Sequence, residues 1–310
     1  MVRMRFKGGD MKLTNLFLSV FLVSLSAYGN ALTVLACEPE WKALALELVG
    51  EDDNVYSATT AFQDPHHIQA RPSLISKARR ADLLFCTGAE LEAGWLPLLT
   101  RKSANKQIQK GSAGYFMAAD QVSLLGGAEE VDRSDGDVHG GGDPHFFLDP
   151  HYISSVAKAL MERLILVDGV NAAEYKSRYK NFNARWALAI KKWEAQATPL
   201  RGASYVVHHN NWRYLTQWLE LNALTTLEPK PGLPPTSRHL SFVLKSIEGQ
   251  KVEGILVGSY QDRKAADWLQ EKAGLPVVLL PYTVGGGKEV TSLFALFDHT
   301  IAALLKHSQR

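Results

Sequence analysis

From residue 170 to residue 197 the chain runs without a proline or a glycine, and its large apolar residues recur at helical spacing: Tyr175, Tyr179, Phe182, Trp186, Ile190 and Trp193. Lys and Arg crowd the opposite side, so the stretch reads as one amphipathic helix. At about 1.5 Å per residue it forms a rod of roughly 40 Å, longer than the usual globular helix. Such a rod suits a stiff connection between two lobes. The length agrees: 310 residues exceed what one compact core usually takes, and domains of about 100–150 residues are the ordinary size.

On both sides of the rod, strands and helices alternate. Residues 32–36 read as a strand and 38–49 as a helix, with Trp41, Leu44, Leu46 and Val49 spaced for a buried face and Gly50 as its stop. A strand at 55–58, a helix at 72–80 and a strand at 82–86 follow, and then a turn into a helix containing Trp95. Residues 101–142 are less regular. Within them 126–142 is rich in Gly and Asp, contains His139, and is expected to be a mobile surface loop. Residues 150–167 form a helix. Beyond the rod, strands at 203–207, 223–227, 252–257 and 276–280 alternate with helices, and a helix at 293–305 ends the chain. This grammar implies parallel sheets covered by helices. The expected fold class is α/β, with two lobes, each a roughly four-stranded parallel sheet with flanking helices, joined by one long rigid α-helix. The divisions are 1–31 for an export signal, 32–168 for the N-terminal lobe, 169–198 for the linking helix and 199–310 for the C-terminal lobe.

The export signal consists of Lys12, an apolar run at 16–25 and the small-x-small pattern Gly29-Asn30-Ala31, with Met11 an alternative start. The run is shorter than the about 20 residues a spanning helix needs. Val34-Leu35-Ala36-Cys37 offers a rival cut that loosely resembles a lipoprotein box, but residues 32–36 are better used as the first strand. Cleavage near Ala31 removes Arg3, Arg5, Lys7, Lys12 and Asp10; the 34 basic and 32 acidic residues become 30 and 31, a net of −1. A near-neutral body gives no support for nucleic-acid binding. Cys37 and Cys86 each end a predicted strand, and in an oxidising compartment the pair permits one disulfide, with two buried thiols the alternative. If the first lobe is doubly wound those strand ends are neighbours, so a disulfide is expected.

The chemistry lies in histidines. Asp64-Pro65-His66-His67 and Asp143-Pro144-His145-Phe146-Phe147-Leu148-Asp149-Pro150-His151 repeat one element, in which an Asp-Pro step sets a stiff turn and then presents an imidazole. His208-His209 follows the apolar run Tyr205-Val206-Val207. Three imidazoles on separate short loops are what a borderline-soft divalent metal such as zinc uses. His66 and His209 come just after predicted parallel strands, where ligands of open α/β sheets bind, and His145 sits on the loop entering a helix. His67, His151 and His208 are adjacent alternatives that spacing leaves open, and His239, His299 and His307 fall in helical patterns. Asp64, Asp143 and Asp149 are placed to fix imidazole tautomers. Gly285-Gly286-Gly287 lacks the pattern of a phosphate loop, and the Gly-x-Ser-x-Gly and His-Glu-x-x-His motifs of hydrolases are absent.

From about Leu32 onward these residues resemble the metal-binding solute-binding proteins of ABC uptake systems for zinc and manganese, in particular the ZnuA-like zinc branch. The resemblance is carried by Gln63-Asp64-Pro65-His66 with Arg71-Pro72-Ser73, by Gly88-Ala89-Glu90-Leu91-Glu92, and by residues 143–150. It continues through His209 with Trp212 and Tyr214, Glu228-Pro229, and Leu280-Pro281-Tyr282-Thr283-Val284-Gly285-Gly286. The resemblance implies that His66, His145 and His209 hold metal in an inter-lobe cleft, without catalysis. The implied cargo is Zn2+ before Mn2+. The implied partners are a membrane permease and its cytoplasmic ATPase, reached from the periplasm, with the protein acting as a monomer. Two departures stand out. Val284 occupies the place of an Asp ligand in many members, and the long His-rich loop of zinc members is reduced to a Gly/Asp segment with His139 alone. The fourth ligand is left to water or a carboxylate, with Asp262 and Glu228 the candidates. Alternative readings are a metal-binding surface adhesin or receptor, and a zinc-dependent hydrolase with an open fourth position.

Overall fold

Val34, Ala36, Leu83 and Phe85 belong to one buried cluster, while Leu35, Cys37, Leu84 and Cys86 belong to another on the opposite side. Strands apolar on both faces fit a parallel sheet with helices on each side. The computed structural model describes residues 1, 2, 4, 31–126 and 139–308. In it β1 (Thr33–Ala36), β2 (Asn54–Ser57), β3 (Leu83–Cys86) and β4 (Tyr115–Met117) form a parallel sheet in the order β2-β1-β3-β4. Helices α1 (Pro39–Leu48), α2 (Pro72–Arg80), α3 (Leu96–Ser103) and α4 (Pro150–Val167) cover it. The strand β4 lies in the stretch expected to be irregular. Its three residues are too few to show a period, and only pairing with β3 defines it. Trp95 stands just before α3 rather than inside a helix.

The second sheet repeats the plan with β5 (Ser204–Val207), β6 (Asn222–Thr226), β7 (Gly254–Gly258) and β8 (Val277–Leu280) in the parallel order β6-β5-β7-β8. Its helices, after the connecting α5 (Ala172–Ala197), are α6 (Arg213–Trp218), α7 (Ser237–Ser246), α8 (Lys264–Ala273) and α9 (Leu293–Ser308). Thr236 caps α7, its hydroxyl accepting from the His239 amide at 3.3 Å. In each sheet the second and third strands in sequence lie on opposite sides of the first, so the order reverses between β1 and β3 and between β5 and β7, and the crevice at such a switch point is where ligands of this fold class sit.

The helix α5 is the 26-residue rod between the lobes, burying Tyr175, Phe182, Trp186, Ile190, Trp193 and Ala197. Trp186 and Trp193 lie seven positions apart and so share a face. The Trp186 indole donates to the Pro150 carbonyl at the start of α4, at 2.8 Å. The Trp193 indole donates to Asp298 on α9, also at 2.8 Å. Phe294 and Phe297 of α9 meet Trp186 edge-on at 4.9 and 5.5 Å. The core facing α5 therefore runs unbroken from Phe85 and Phe146 of one lobe to Tyr205, Leu256 and Leu280 of the other.

Cys37 and Cys86, at the ends of β1 and β3, form the expected disulfide. The expected signal over 1–31 falls almost wholly outside the described residues, as do 127–138 of the Gly/Asp loop. Among the described residues no helix is long and apolar enough to cross a membrane.

Two outcomes follow. Trp186→Ala should lower stability by about 3–5 kcal/mol, read as a drop in the urea midpoint. Because the core is continuous, both lobes should still unfold in one transition. Alkylation of the unfolded protein should add two groups only after reduction, and removing this bond, which closes a separation of 49 residues, should cost about 4 kcal/mol by the loop-entropy relation. Two thiols alkylated without reductant would refute the pairing.

Candidate metal centre

Each Asp-Pro-His element folds into the same local device. The Asp64 Oδ1 accepts from the His66 amide at 3.0 Å and from its ring Nδ1 at 2.7 Å. Asp143 does the same for His145, at 2.9 and 2.7 Å. An ionised carboxylate only accepts, so Nδ1 carries the proton and Nε2 is left with its lone pair. Burial opposes the Asp64 charge, but the bonds from His66 and the nearby imidazoles outweigh it and bring the carboxyl down to about 2. Asp143 is lowered against its own burial in the same way. His209 receives equivalent help from further away: its Nδ1 donates to Glu228 Oε2 at 2.6 Å, from the loop after β6.

The three sequence-selected rings converge. His145 lies 6.3 Å from His66 and 6.0 Å from His209 between ring centroids. His145 is buried, and its Nε2 has no hydrogen-bond partner among the described residues. Burial pulls its pKa down although the Asp143 bond opposes this, so the ring is neutral at pH 7. The alternatives are turned elsewhere. His151 repeats the device with Asp149, at 2.9 and 2.8 Å, but its Nε2 reaches Glu194 on α5 at 3.3 Å. His67 is exposed, His208 faces away toward Glu228, and His239 donates to the Thr226 carbonyl at 2.9 Å.

A fourth ring, His139, joins these and was not among the expected ligands. Its ring stacks on His66 at 5.2 Å, lies 6.1 Å from His145, and sets Nε2 at 3.2 Å from the His66 Nε2. A proton or a cation must sit between two such nitrogens. Burial, and then the neighbouring His145 and His66, drives the His139 pKa down to about 3. The neck of its loop is pinned from both lobes. The Asp143 amide donates to the Leu125 carbonyl, the Tyr214 hydroxyl donates to the Asp143 carbonyl, and the Gly140 amide donates to Glu90, at 2.8, 2.9 and 3.1 Å. Gly142, at φ +110°, allows this closure, because a Cβ there would come within 2.6 Å of Leu124. The signal in the sequence was a lone histidine six residues before His145.

The expected carboxylate candidates stand differently. Glu228 is behind His209, orienting it, and Asp262 is exposed and paired with Lys264 at 3.0 Å. Val284 lines a groove with Ala61 and Phe62 and offers no donor atom. Tyr282, from the same loop, closes over His145 at 6.2 Å, and burial raises its pKa so far that it stays a neutral phenol. Cys37, Cys86 and Glu92 also stand together, but the two sulfurs are joined and supply no thiolate. Among the described residues, imidazole nitrogens thus face the cluster, with carboxylates behind them.

The family described as zinc-uptake complex component A, periplasmic, matches residues 34–307. A metal ABC transporter substrate-binding lipoprotein of Streptococcus mutans, SloC, is 24% identical over 259 residues, covering 81% of this chain and 81% of its own. An iron ABC transporter substrate-binding lipoprotein of Streptococcus pyogenes, MtsA, is 23% identical over 272 residues, covering 84% and 85%. Among solved structures, a crystal structure of ZnuA superposes with a TM-score of 0.74 at 17% identity, covering 90% of this chain and 99% of its own.

In metal-free protein, nitrogen-15 NMR of the imidazoles should show His66, His145 and His209 protonated at Nδ1 and bare at Nε2. Asp143→Asn should mix the tautomers of His145 alone. A His145 signal already mixed in the wild type would contradict the hydrogen-bond assignment.

Proposed function

Because the chain belongs to the periplasmic zinc-uptake complex component A family, we propose that it captures Zn2+ between its lobes through His66, His145 and His209 and passes it to an importer. Members of such systems work with a membrane permease and its ATPase. The observation that carries the reading is the set of inward imidazoles, three of them backed by a carboxylate on Nδ1. We assign the fourth place to His139. Tetrahedral zinc with bonds of about 2.0–2.1 Å sets neighbouring nitrogens roughly 3.3 Å apart, and His66 and His139 stand 3.2 Å apart.

The donor set favours zinc over manganese. Manganese takes hard, anionic oxygens at higher coordination number, whereas a neutral nitrogen set suits a borderline ion with no geometric demand of its own. The iron named for the Streptococcus pyogenes relative makes Fe2+ the competitor to measure beside Mn2+. Among the described residues, the carboxylates against the rings, Asp64, Asp143 and Glu228, are each engaged on an imidazole. None is presented as a general base, which favours capture over hydrolysis. We place the protein in the periplasm, free of its signal. The Cys37 sulfur is buried and committed to Cys86, and a thioether lipid there would require breaking that bond.

Metal analysis of untagged protein should find zinc. Competition titration should rank Zn2+ above Fe2+ and Mn2+. Alanine at His66, His145 or His209 should each weaken zinc binding by more than the roughly 10–100-fold that losing an orienting partner costs, whereas His151→Ala and His67→Ala should leave it near wild type. Equal affinity for manganese, or intact zinc binding in His209→Ala, would refute this assignment.

A further inference from the structure

We propose that Glu40, as an uncharged acid, is a positioning residue for the histidine cluster: through Thr283 it keeps the loop after β8, and with it Tyr282, seated over His145, and its ionisation lets that loop go. The proposal rests on the reading above in one respect, that the cluster is where the ion is held. Glu40 lies on α1 in the first lobe and Thr283 in a loop of the second, and the Thr283 hydroxyl donates to Glu40 Oε2. Both residues are buried, Glu40 with 1% exposure. The preceding residue, Tyr282, sets its ring edge-on to His145 at 6.2 Å and to Phe147 of the first lobe at 5.4 Å. The neighbouring bonds are long. The Ser259 hydroxyl donates to the Ala61 carbonyl and accepts from the Tyr282 amide, both at 3.4 Å, beyond the usual range. The contact of Thr283 with Glu40 is the firm polar link at this wall.

The surroundings of Glu40 offer its charge no partner. Glu38 and Glu92 are buried beside it, both accept from Thr87, and they face each other in a contact that needs a proton between them. Cations on the elements packed against α1 are engaged elsewhere. Arg185 of α5 pairs with Glu47, Lys192 of α5 with Asp298 of α9, and Arg163 of α4 donates to the Ala113 and Tyr115 carbonyls. Lys42 and Lys288 line an outer groove of about 870 Å³ that also borders Pro39, Ala43, Val284 and Gly285. The remaining titratable group, the Tyr282 phenol, stays neutral. Burial accordingly raises Glu40 and Glu92 to about 7. A carboxyl raised in the closed wall favours closure fully below its ordinary pKa, and that advantage is lost as pH rises through about 7. An ionised Glu40 must be hydrated, and the groove gives water a way in beside Val284 and Gly285, on the loop that carries Tyr282.

The rate at which Zn2+ leaves the loaded protein into excess chelator, followed across neutral pH, tests this. Protons compete with the ion for imidazole nitrogens, so the histidines alone make release slower as pH rises. Ionisation of Glu40 has the opposite sign. Wild-type release should quicken by roughly tenfold between about pH 6 and about pH 8.5. Glu40→Gln, uncharged throughout, should stay slow across that range, whereas Thr283→Val should be fast already at its acid end. A wild-type rate that falls with pH, a Glu40→Gln profile that still rises, or a Thr283→Val rate as slow as wild type at the acid end overturns the proposal. Thr283→Val also reports if Glu40→Gln disturbs folding. Metal-free protein supplies a second readout. The Gly285 and Gly286 amides donate within the loop to the Val290 and Thr283 carbonyls at 2.7 and 2.9 Å, and their hydrogen-exchange protection should fall above about pH 7 in wild type but hold in Glu40→Gln. Zinc release unchanged by His145→Ala refutes the assignment of the cluster instead, and amide exchange still decides the role of Glu40.

Discussion

Two indole hydrogen bonds on one face of α5 hold the two lobes to a common frame. Trp186 is fixed to the start of α4 and Trp193 to Asp298 on α9, so each lobe is fastened to the same helix seven residues apart. A helix transmits its geometry over its whole length through one hydrogen bond per residue. The aromatic cluster around Phe294 and Phe297 fills the space between. The histidine cluster depends on this frame, because His145 comes from the first lobe and His209 from the second, with their rings 6.0 Å apart.

Within that frame the hydrogen bonds behind the rings set the donor character of each imidazole. A carboxylate on Nδ1 makes an imidazole a better donor through Nε2 and fixes the plane of its ring. Placing Asp64, Asp143 and Glu228 behind the rings keeps their charge close to the cluster while nitrogen atoms face its interior. Val284, in the loop after β8, has an aliphatic side chain and supplies no anionic oxygen. The nitrogen of His139 stands in the cluster instead.

The first lobe also buries three glutamates beside its disulfide. Thr87 donates to Glu38 at 3.0 Å and, through its amide, to Glu92 at 2.8 Å, and Thr283 of the other lobe donates to Glu40. Burial raises all three, bringing Glu40 and Glu92 to about 7. A carboxyl raised in the folded state contributes stability that is fully present below its ordinary pKa of 4.5 and is lost as pH rises through about 7. These protons keep an uncompensated charge cluster out of the wall that joins the two lobes at Glu40 and Thr283.

The alternation of strands and helices, the uninterrupted rod and the Asp-Pro-His elements were all legible in the residues. Each depends on spacing within a few positions: helical period, sheet period, or a side chain accepting from the amide two residues on. The short strand β4 was not legible, since only its partner β3 identifies it. Nor could spacing choose among the histidines. His66, His145 and His151 share one local geometry, and only packing turns the first two inward and hands the third to Glu194 on α5. Glu228 serves His209 from 19 residues away, across a β-α-β unit, and His139 joins the cluster because Tyr214 and Glu90 close its loop from two lobes. For His66, His145 and His151, local hydrogen bonds hold Nδ1 and so turn Nε2 outward from the turn, and the sequence contains them. The direction in which that nitrogen points depends on contacts between distant segments, and those exist only once the lobes are packed on α5.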